Sequence, residues 1–198
     1  MVAASQIEVA ILAGGQSRRM GRDKSFLIFN GKPLIEHVID RLRVLNLNMM
    51  IIINSPEKYS HLGLPLFTDE IAGCGSLGGI YTALKKSVSS YVLCVACDMP
   101  FLNPTLLHYQ IKLCSNFDAV IPKIDDQAHN LHAVYASSCQ LCIRQQIETG
   151  NFRISDFYRD LNVRYINKVE IEAFDPRFLS LVNLNTPNDV KMMAHVID

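Results

Sequence analysis

The chain has no excess of either charge, since 19 Lys and Arg balance 19 Asp and Glu. A surface without net charge offers no general attraction for a polyanion or an acidic bilayer, so neither nucleic acid nor membrane is expected as a partner. No apolar run approaches the roughly 20 residues that span a bilayer. The first residues also lack a basic segment followed by an apolar one, and the expectation is a cytoplasmic protein. Nothing in the chain reads as an internal repeat, a low-complexity tract or a linker. The 198 residues, 49% of them hydrophobic, are therefore expected to fold as one domain.

What is present concentrates at residues 11–24, ILAGGQSRRMGRDK, directly after an apolar run at 7–13 that predicts a buried strand. Glycines let backbone N–H groups close on an anion without a Cβ in the way, and Arg18, Arg19 and Lys24 supply charge for a polyphosphate. The spacing within this loop is neither the G-x-G-x-x-G of a dinucleotide fold nor the G-x-x-x-x-G-K-[ST] of a Walker A loop.

Six cysteines, at 74, 94, 97, 114, 139 and 142, include two C-x-x-C pairs. Cys94 and Cys97 fall in an expected strand, where residues three apart face opposite sides, so reduced cytosolic thiols account for them better than zinc does. A redox or zinc protein built on these pairs stays as a distant alternative.

Along the chain, residues 25–30 read as a short extended segment and Asn30-Gly31 as a turn. After Pro33, the residues Leu34, Ile35, Val38, Ile39, Leu42 and Leu45 share one helical face, bordered by His37 as a structural or exposed histidine. Residues 49–53 predict a central parallel strand ending at Asn54, and residues 64–68 another ending at Asp69. Residues 71–79, IAGCGSLGG, read as a second glycine-rich loop with a helix starting at Tyr81. Residues 91–97 should form the most deeply buried strand, delivering Asp98, with Asn103 as helix cap and Pro104 as first helical residue.

Strands at 119–122 and 132–135 flank a polar loop. A helix at 138–148 with Gly150 as its cap, a turn at 154–158 and a strand at 181–184 follow, and Thr186 to Asp189 opens the last helix as a capping box. Strands alternating with helices imply an α/β fold, a parallel sheet covered on both faces, with ligands at the carboxyl ends of the strands. Taken singly, Asn54 reads as a turn residue, Asp98 as a cap or turn former, and Asn185 as part of a helix-capping loop.

Five stretches carry a resemblance. L-A-G-G-x-S-x-R-M-G-x-x-K from Leu12 to Lys24, IAGCGSLGG at 71–79 with Asp69 before it, ACDMPF around Asp98, LHAVY at 131–135, and VNLNTPND at 182–189 resemble the nucleotidyltransferases that join a nucleoside triphosphate to a phosphorylated acceptor. The similarity is strongest to the molybdenum cofactor guanylyltransferases. Relatives that use sugar phosphates or CTP more often carry L-A-A-G where this chain has Leu12, Ala13, Gly14 and Gly15. One departure is Asn130, where the family usually has proline before LHAVY.

The resemblance implies a three-layer Rossmann-like nucleotidyltransferase fold with a mostly parallel central sheet, with a nucleotide-binding part over about 1–102 and an acceptor-binding part over about 103–198. It implies transfer of GMP from GTP to molybdenum-molybdopterin, with release of pyrophosphate and with Mg²⁺ as cofactor. Arg19, Lys24 and Asp98 are then the catalytic set, Asp98 as the metal ligand. Leu12, Ala13, Gly14, Gly15, Lys24, Asn54, Asp69, Gly78 and Asp98 would bind the nucleotide, while Asn183 and Asn185 would reach the metal or the acceptor phosphate. Implied partners are molybdenum-insertion proteins and the acceptor molybdoenzymes or their chaperones, with the chain itself a monomer. The competing readings are a sister enzyme using CTP or another phosphorylated acceptor, and a non-catalytic nucleotide sensor. Against the sensor stands the joint presence of Arg19, Lys24 and Asp98.

Overall fold

The computed structural model describes residues 3–14 and 24–197. Gly15, Arg18 and Arg19 lie outside the described residues. Strand β1 (Ile7–Leu12) is apolar at alternate positions toward both faces, and this decides the architecture. Val9 and Ile11 pack in one core with Ile35, Val38 and Leu42, whereas Ala10 and Leu12 pack in another with Leu77, Ile80 and Leu84. A strand buried on both sides needs a helical layer over each, so the molecule has three layers.

The first layer is α1 (Leu34–Arg43) with α3 (Pro104–Leu113), and the second is α2 (Gly75–Lys86) with α4 (Cys139–Glu148). Between them lie β4 (Met49–Ile53), β5 (Leu66–Thr68), β6 (Tyr91–Ala96), β7 (Ala119–Ile124), β9 (His132–Ala136) and β10 (Val163–Ile166), with a short β8 (Gln127–Ala128) attached to β7. The order is β10-β7-β9-β6-β1-β4-β5. The pairs of β1 with β4 and β6, of β4 with β5, and of β7 with β10 are parallel, and β9 runs antiparallel to both of its neighbours. A hairpin of β2 (Ile28–Phe29) and β3 (Lys32–Pro33) precedes α1, turning through Asn30 and Gly31 at φ 45° and 77°. Both φ values are left-handed, which Asn and Gly tolerate best, as the turn signal anticipates.

The predicted face of α1 is buried from Leu34 to Leu42, and Leu45 just beyond it is buried too. His37, on its border, lies with Nε2 2.8 Å from the Phe29 carbonyl oxygen, a structural role. Asn103 caps α3, its Oδ1 accepting from the N–H groups of Thr105 and Leu106, with Pro104 as first helical residue. The last helix, α6 (Pro187–Ile197), begins at the anticipated capping box: Thr186 N–H donates to Asp189 Oδ2 at 2.8 Å and Asp189 N–H to Thr186 Oγ1 at 3.1 Å. Gly150, at φ 77°, closes the end of α4. None of the six cysteines, all among the described residues, is in a disulfide, and Cys94 lies in one core and Cys97 in the other.

Two expectations are corrected. The second glycine-rich stretch is only partly a loop, because α2 starts at Gly75 rather than Tyr81. Gly78 and Gly79 serve close packing: a Cβ on Gly78 would stand 2.9 Å from Cys74 Cβ and 3.3 Å from the Ile71 carbonyl oxygen, and one on Gly79 would meet Leu12 at 3.4 Å. Residues 181–184 are not a strand. A single 3₁₀ turn, Leu179–Leu181, leads into an extended segment whose link to the end of β6 is one bond, Leu184 N–H to the Asp98 carbonyl at 2.8 Å. Strand β10 and helix α5 (Lys168–Glu172) went unread, although Asn167 and Glu170 form a capping box that the sequence displays.

Candidate active site

Register alone brings the predicted site residues together. Leu12 pairs with Ile52 of β4 and with Ala96 of β6, so Gly14, Asn54 and Asp98, each two positions further on, emerge on one rim. Ile53 pairs with Thr68, which places Asp69 beside them. All lie at carboxyl ends of parallel strands, where an open α/β sheet leaves a crevice.

That crevice is a cleft of about 220 Å³ lined by Leu12, Ala13, Gly14, Lys24, Asp69, Asp98 and Asn183 among the predicted residues. Ser25, Ile52, Gly75, Ser76, Gly79, Ala96, Cys97 and Leu131 complete the wall. Gly75, Ser76 and Gly79 belong to the second glycine-rich stretch and Ala96, Cys97 and Leu131 to the ACDMPF and LHAVY motifs, whereas Ser25 and Ile52 were not anticipated. Gly78 lies one turn inside α2, and Gly75, Ser76 and Gly79 form the glycine wall.

The charged groups are held by amides. Asn183 Nδ2 donates to Asp98 Oδ1 at 2.6 Å, and Lys24 Nζ donates to Asn185 Oδ1 at 2.7 Å. Both asparagines come from the segment before α6, whose start is anchored when Asn185 N–H donates to Asp189 Oδ2 at 2.8 Å. Burial pushes the Asp98 carboxyl above its usual range, opposed by the Asn183 bond and the Lys24 charge. Mg²⁺ takes carboxylate, phosphate and water oxygens, and the half-buried carboxylate of Asp98, opening on the cleft, is a donor that suits it. Asn54 turns its amide onto the carbonyl oxygen of Gly14, tying the end of β4 to the first loop.

Asp69 differs. Its Oδ1 is buried without a hydrogen-bond partner among the described residues, and burial raises the carboxyl to about 6. A buried acceptor without a donor is costly unless a ligand supplies one. Next to it, Glu70 accepts from Lys85 at 2.6 Å and Lys86 at 2.5 Å, which pins the 69–74 turn to α2.

A second cleft, of about 380 Å³, shares Gly75 and Ser76 with the first and adds Asn130, Phe152, Arg153 and Ser155. Asn130 is oriented from below, its Oδ1 accepting from Tyr158 and its carbonyl from Tyr135, both at 2.8 Å. The departure from proline at this position thus gives Tyr158 a side-chain acceptor, whereas Tyr135, its hydroxyl 2.9 Å from that of Tyr158, uses a backbone carbonyl that proline would also present.

A parallel-strand rim of the α/β sheet here carries a lysine, a carboxylate and an acceptor without a partner among the described residues, and the relatives of the chain make it a nucleotidyltransferase of the α/β class. The description "MobA-like NTP transferase domain" matches residues 9–164, and the chain belongs to this family. It is 35% identical over 191 residues to a probable molybdenum cofactor guanylyltransferase of Natranaerobius thermophilus, covering 93% of each chain. With the molybdenum cofactor guanylyltransferase of Syntrophotalea carbinolica it shares 34% identity over 181 residues, 90% of this chain and 86% of the other. The crystal structure of molybdopterin-guanine dinucleotide biosynthesis protein A from Archaeoglobus fulgidus superposes with a TM-score of 0.83 at 30% identity, over 96% of this chain and 98% of that one. A 4-diphosphocytidyl-2C-methyl-D-erythritol synthase from Anaerococcus prevotii shares the fold at 14% identity, with a TM-score of 0.73 over 98% and 99% of the two chains.

Proposed function

We propose that the protein transfers GMP from GTP to molybdenum-bound molybdopterin, forming the guanine dinucleotide cofactor and pyrophosphate. The observation that carries this reading is the pairing of Lys24 and Asp98 on one rim, each held by an asparagine of the same segment, beside the unsatisfied carboxyl of Asp69. Guanine presents N1–H and N2–H side by side, a donor pair that a carboxylate accepts and that cytosine lacks.

In the reaction, an oxygen of the acceptor's terminal phosphate attacks the α-phosphorus of GTP. The bond from that phosphorus to the β-phosphate bridging oxygen breaks, and the electron pair leaves with pyrophosphate. The nucleophile is already ionised, so no enzymic base is needed, and the chain's task is positioning and charge stabilisation. Backbone groups of Leu12 to Gly14 face the nucleotide, and Lys24 offsets the charge of the phosphates and of the departing pyrophosphate. The sequence assigns Arg19 and Gly15 to the same work. Asp98 would hold Mg²⁺, which supplies Lewis-acid neutralisation of the phosphate oxygens when bound. Asn183 and Asn185 keep the carboxylate and the ammonium apart, ready for metal and phosphate instead of a direct ion pair.

The acceptor occupies the second cleft in this reading. Arg153, the serines and the outward amide of Asn130 offer donors to a charged, polar ligand, and Phe152 offers a flat apolar surface. The nucleotide part over about 1–102 and the acceptor part over about 103–198 then meet at Gly75 and Ser76. The protein would work in the cytoplasm as a monomer, receiving its acceptor from molybdenum-insertion proteins and passing the product to molybdoenzymes or their chaperones.

The test is label transfer from the α-phosphate of GTP, CTP, ATP or UTP to molybdenum-loaded molybdopterin with Mg²⁺. Transfer from GTP alone is expected. Transfer from CTP would replace the base assignment and leave the mechanism, whereas nucleotide binding without transfer would make the protein a sensor.

A further inference from the structure

A buried chain of polar groups runs beneath the cleft. Tyr59, in the turn between β4 and β5, is 1% exposed, and its ring packs on Phe26 with centroids 4.9 Å apart. Its hydroxyl donates to Ser25 Oγ at 3.0 Å and stands 3.5 Å from the Ala13 carbonyl oxygen. Ser25 Oγ, itself fully buried, donates to Cys97 Sγ at 3.2 Å. Each group reached is the direct neighbour of a site residue: Ala13 precedes Gly14, Ser25 follows Lys24, and Cys97 precedes Asp98.

Packing alone does not call for these oxygens. Tyr59 sits within an apolar core where phenylalanine would fill nearly the same space, and a buried hydroxyl is a cost unless bonded. Bonded, it fixes geometry: the chain joins the β1 loop, the 3₁₀ turn Lys24–Phe26 and the end of β6. We infer that Tyr59 and Ser25 are positioning residues for nucleotidyl transfer, holding the backbone of Lys24 in fixed relation to Asp98. The amides of Asn183 and Asn185 restrain the same two side chains at their tips, and the buried chain restrains them at their roots. This inference rests on the transfer reading but is independent of the base and the acceptor.

The test uses whichever nucleoside triphosphate the wild-type protein transfers, so an inactive wild type would defeat the proposed function and a change of base would leave this inference standing. Tyr59→Phe and Ser25→Ala should each lower kcat about tenfold with KM for the nucleotide within about twofold, because misplacement acts on the transition state. The decisive readout is the combination with Lys24→Ala, in which either change should cost less than about twofold more, since residues that act through one group are not additive. An unchanged kcat in both single variants, or the full tenfold loss repeated in the Lys24→Ala background, overturns the inference. Should Tyr59→Phe lower the melting temperature appreciably, Ser25→Ala, which removes one oxygen, decides the matter by the same two readouts.

Discussion

In the half of the sheet formed by β5, β4, β1 and β6, all strands run the same way, and residues one or two past each end fall on the site rim: Asp69 and Asn54 directly after β5 and β4, Gly14 and Asp98 two positions after β1 and β6. In the other half, β9 runs against β6 and β7, so it is the residue before its start, Leu131, that reaches the cleft. That half contributes no strand-end charge there. It contributes instead through a segment that crosses back, with Asn183 and Asn185 gripping Asp98 and Lys24. In the proposed reaction one half would thus supply the charged groups and the other set where they stand, and substitutions in the two halves should fail differently.

The largest effect is expected in the first half. Lys24→Ala should fold with an unchanged melting temperature and lose about 10²-fold or more in kcat, since removing one charge from a transition-state clamp costs several kcal/mol. A near-wild-type rate would take Lys24 out of the chemistry.

Asn183→Ala tests the other half's grip on the first. Freed of its amide, Asp98 should demand about tenfold more Mg²⁺ for half-maximal rate, in line with the loss expected when a partner that orients a metal ligand is removed. Titrations of rate against Mg²⁺ that superimpose on the wild type would sever the two halves.

Asp69 sharpens the contrast between stability and function. Its folded pKa of about 6 exceeds the ordinary 3.8, so the folded state holds a proton that the unfolded chain releases between those values. The carboxyl therefore favours folding at low pH and opposes it as pH rises through about 6. Asp69→Asn should raise the melting temperature at pH 7.5, with the gain vanishing below about pH 4, while weakening GTP binding about five- to tenfold. A variant that binds GTP normally would leave Asp69 a structural carboxyl. The smallest effect is expected for exposed Arg153: Arg153→Ala should raise KM for the acceptor about threefold and leave GTP binding alone, as befits one rim charge. A shift in GTP affinity instead would place the nucleotide in the second cleft.

Legibility followed the same division. Strand-end positions in the first half were readable because a parallel strand buried on both faces is a short apolar run with an abrupt polar end, and Asn54, Asp69 and Asp98 are those ends. The start of α2 was misread because Gly75, Gly78 and Gly79 look like a flexible loop in one dimension. Only the approach of Leu12 and of the Ile71 carbonyl shows that Gly78 and Gly79 are there for contact, while Gly75, with open space around it, takes a left-handed φ of 57°. The role of the Asn130 side chain was not legible because its partner, the hydroxyl of Tyr158, is 28 positions away along the chain.

By itself the sequence determined the three-layer plan, the rim and the motif residues on it, because periodicity, caps and turn chemistry are local properties of the chain. Tertiary structure alone decided which groups meet: Asn183 on Asp98, Asn185 on Lys24, Tyr59 beneath Ser25 and Cys97. Such pairings join residues up to 161 positions apart, and they depend on register, crossover and packing depth, none of which a local pattern encodes.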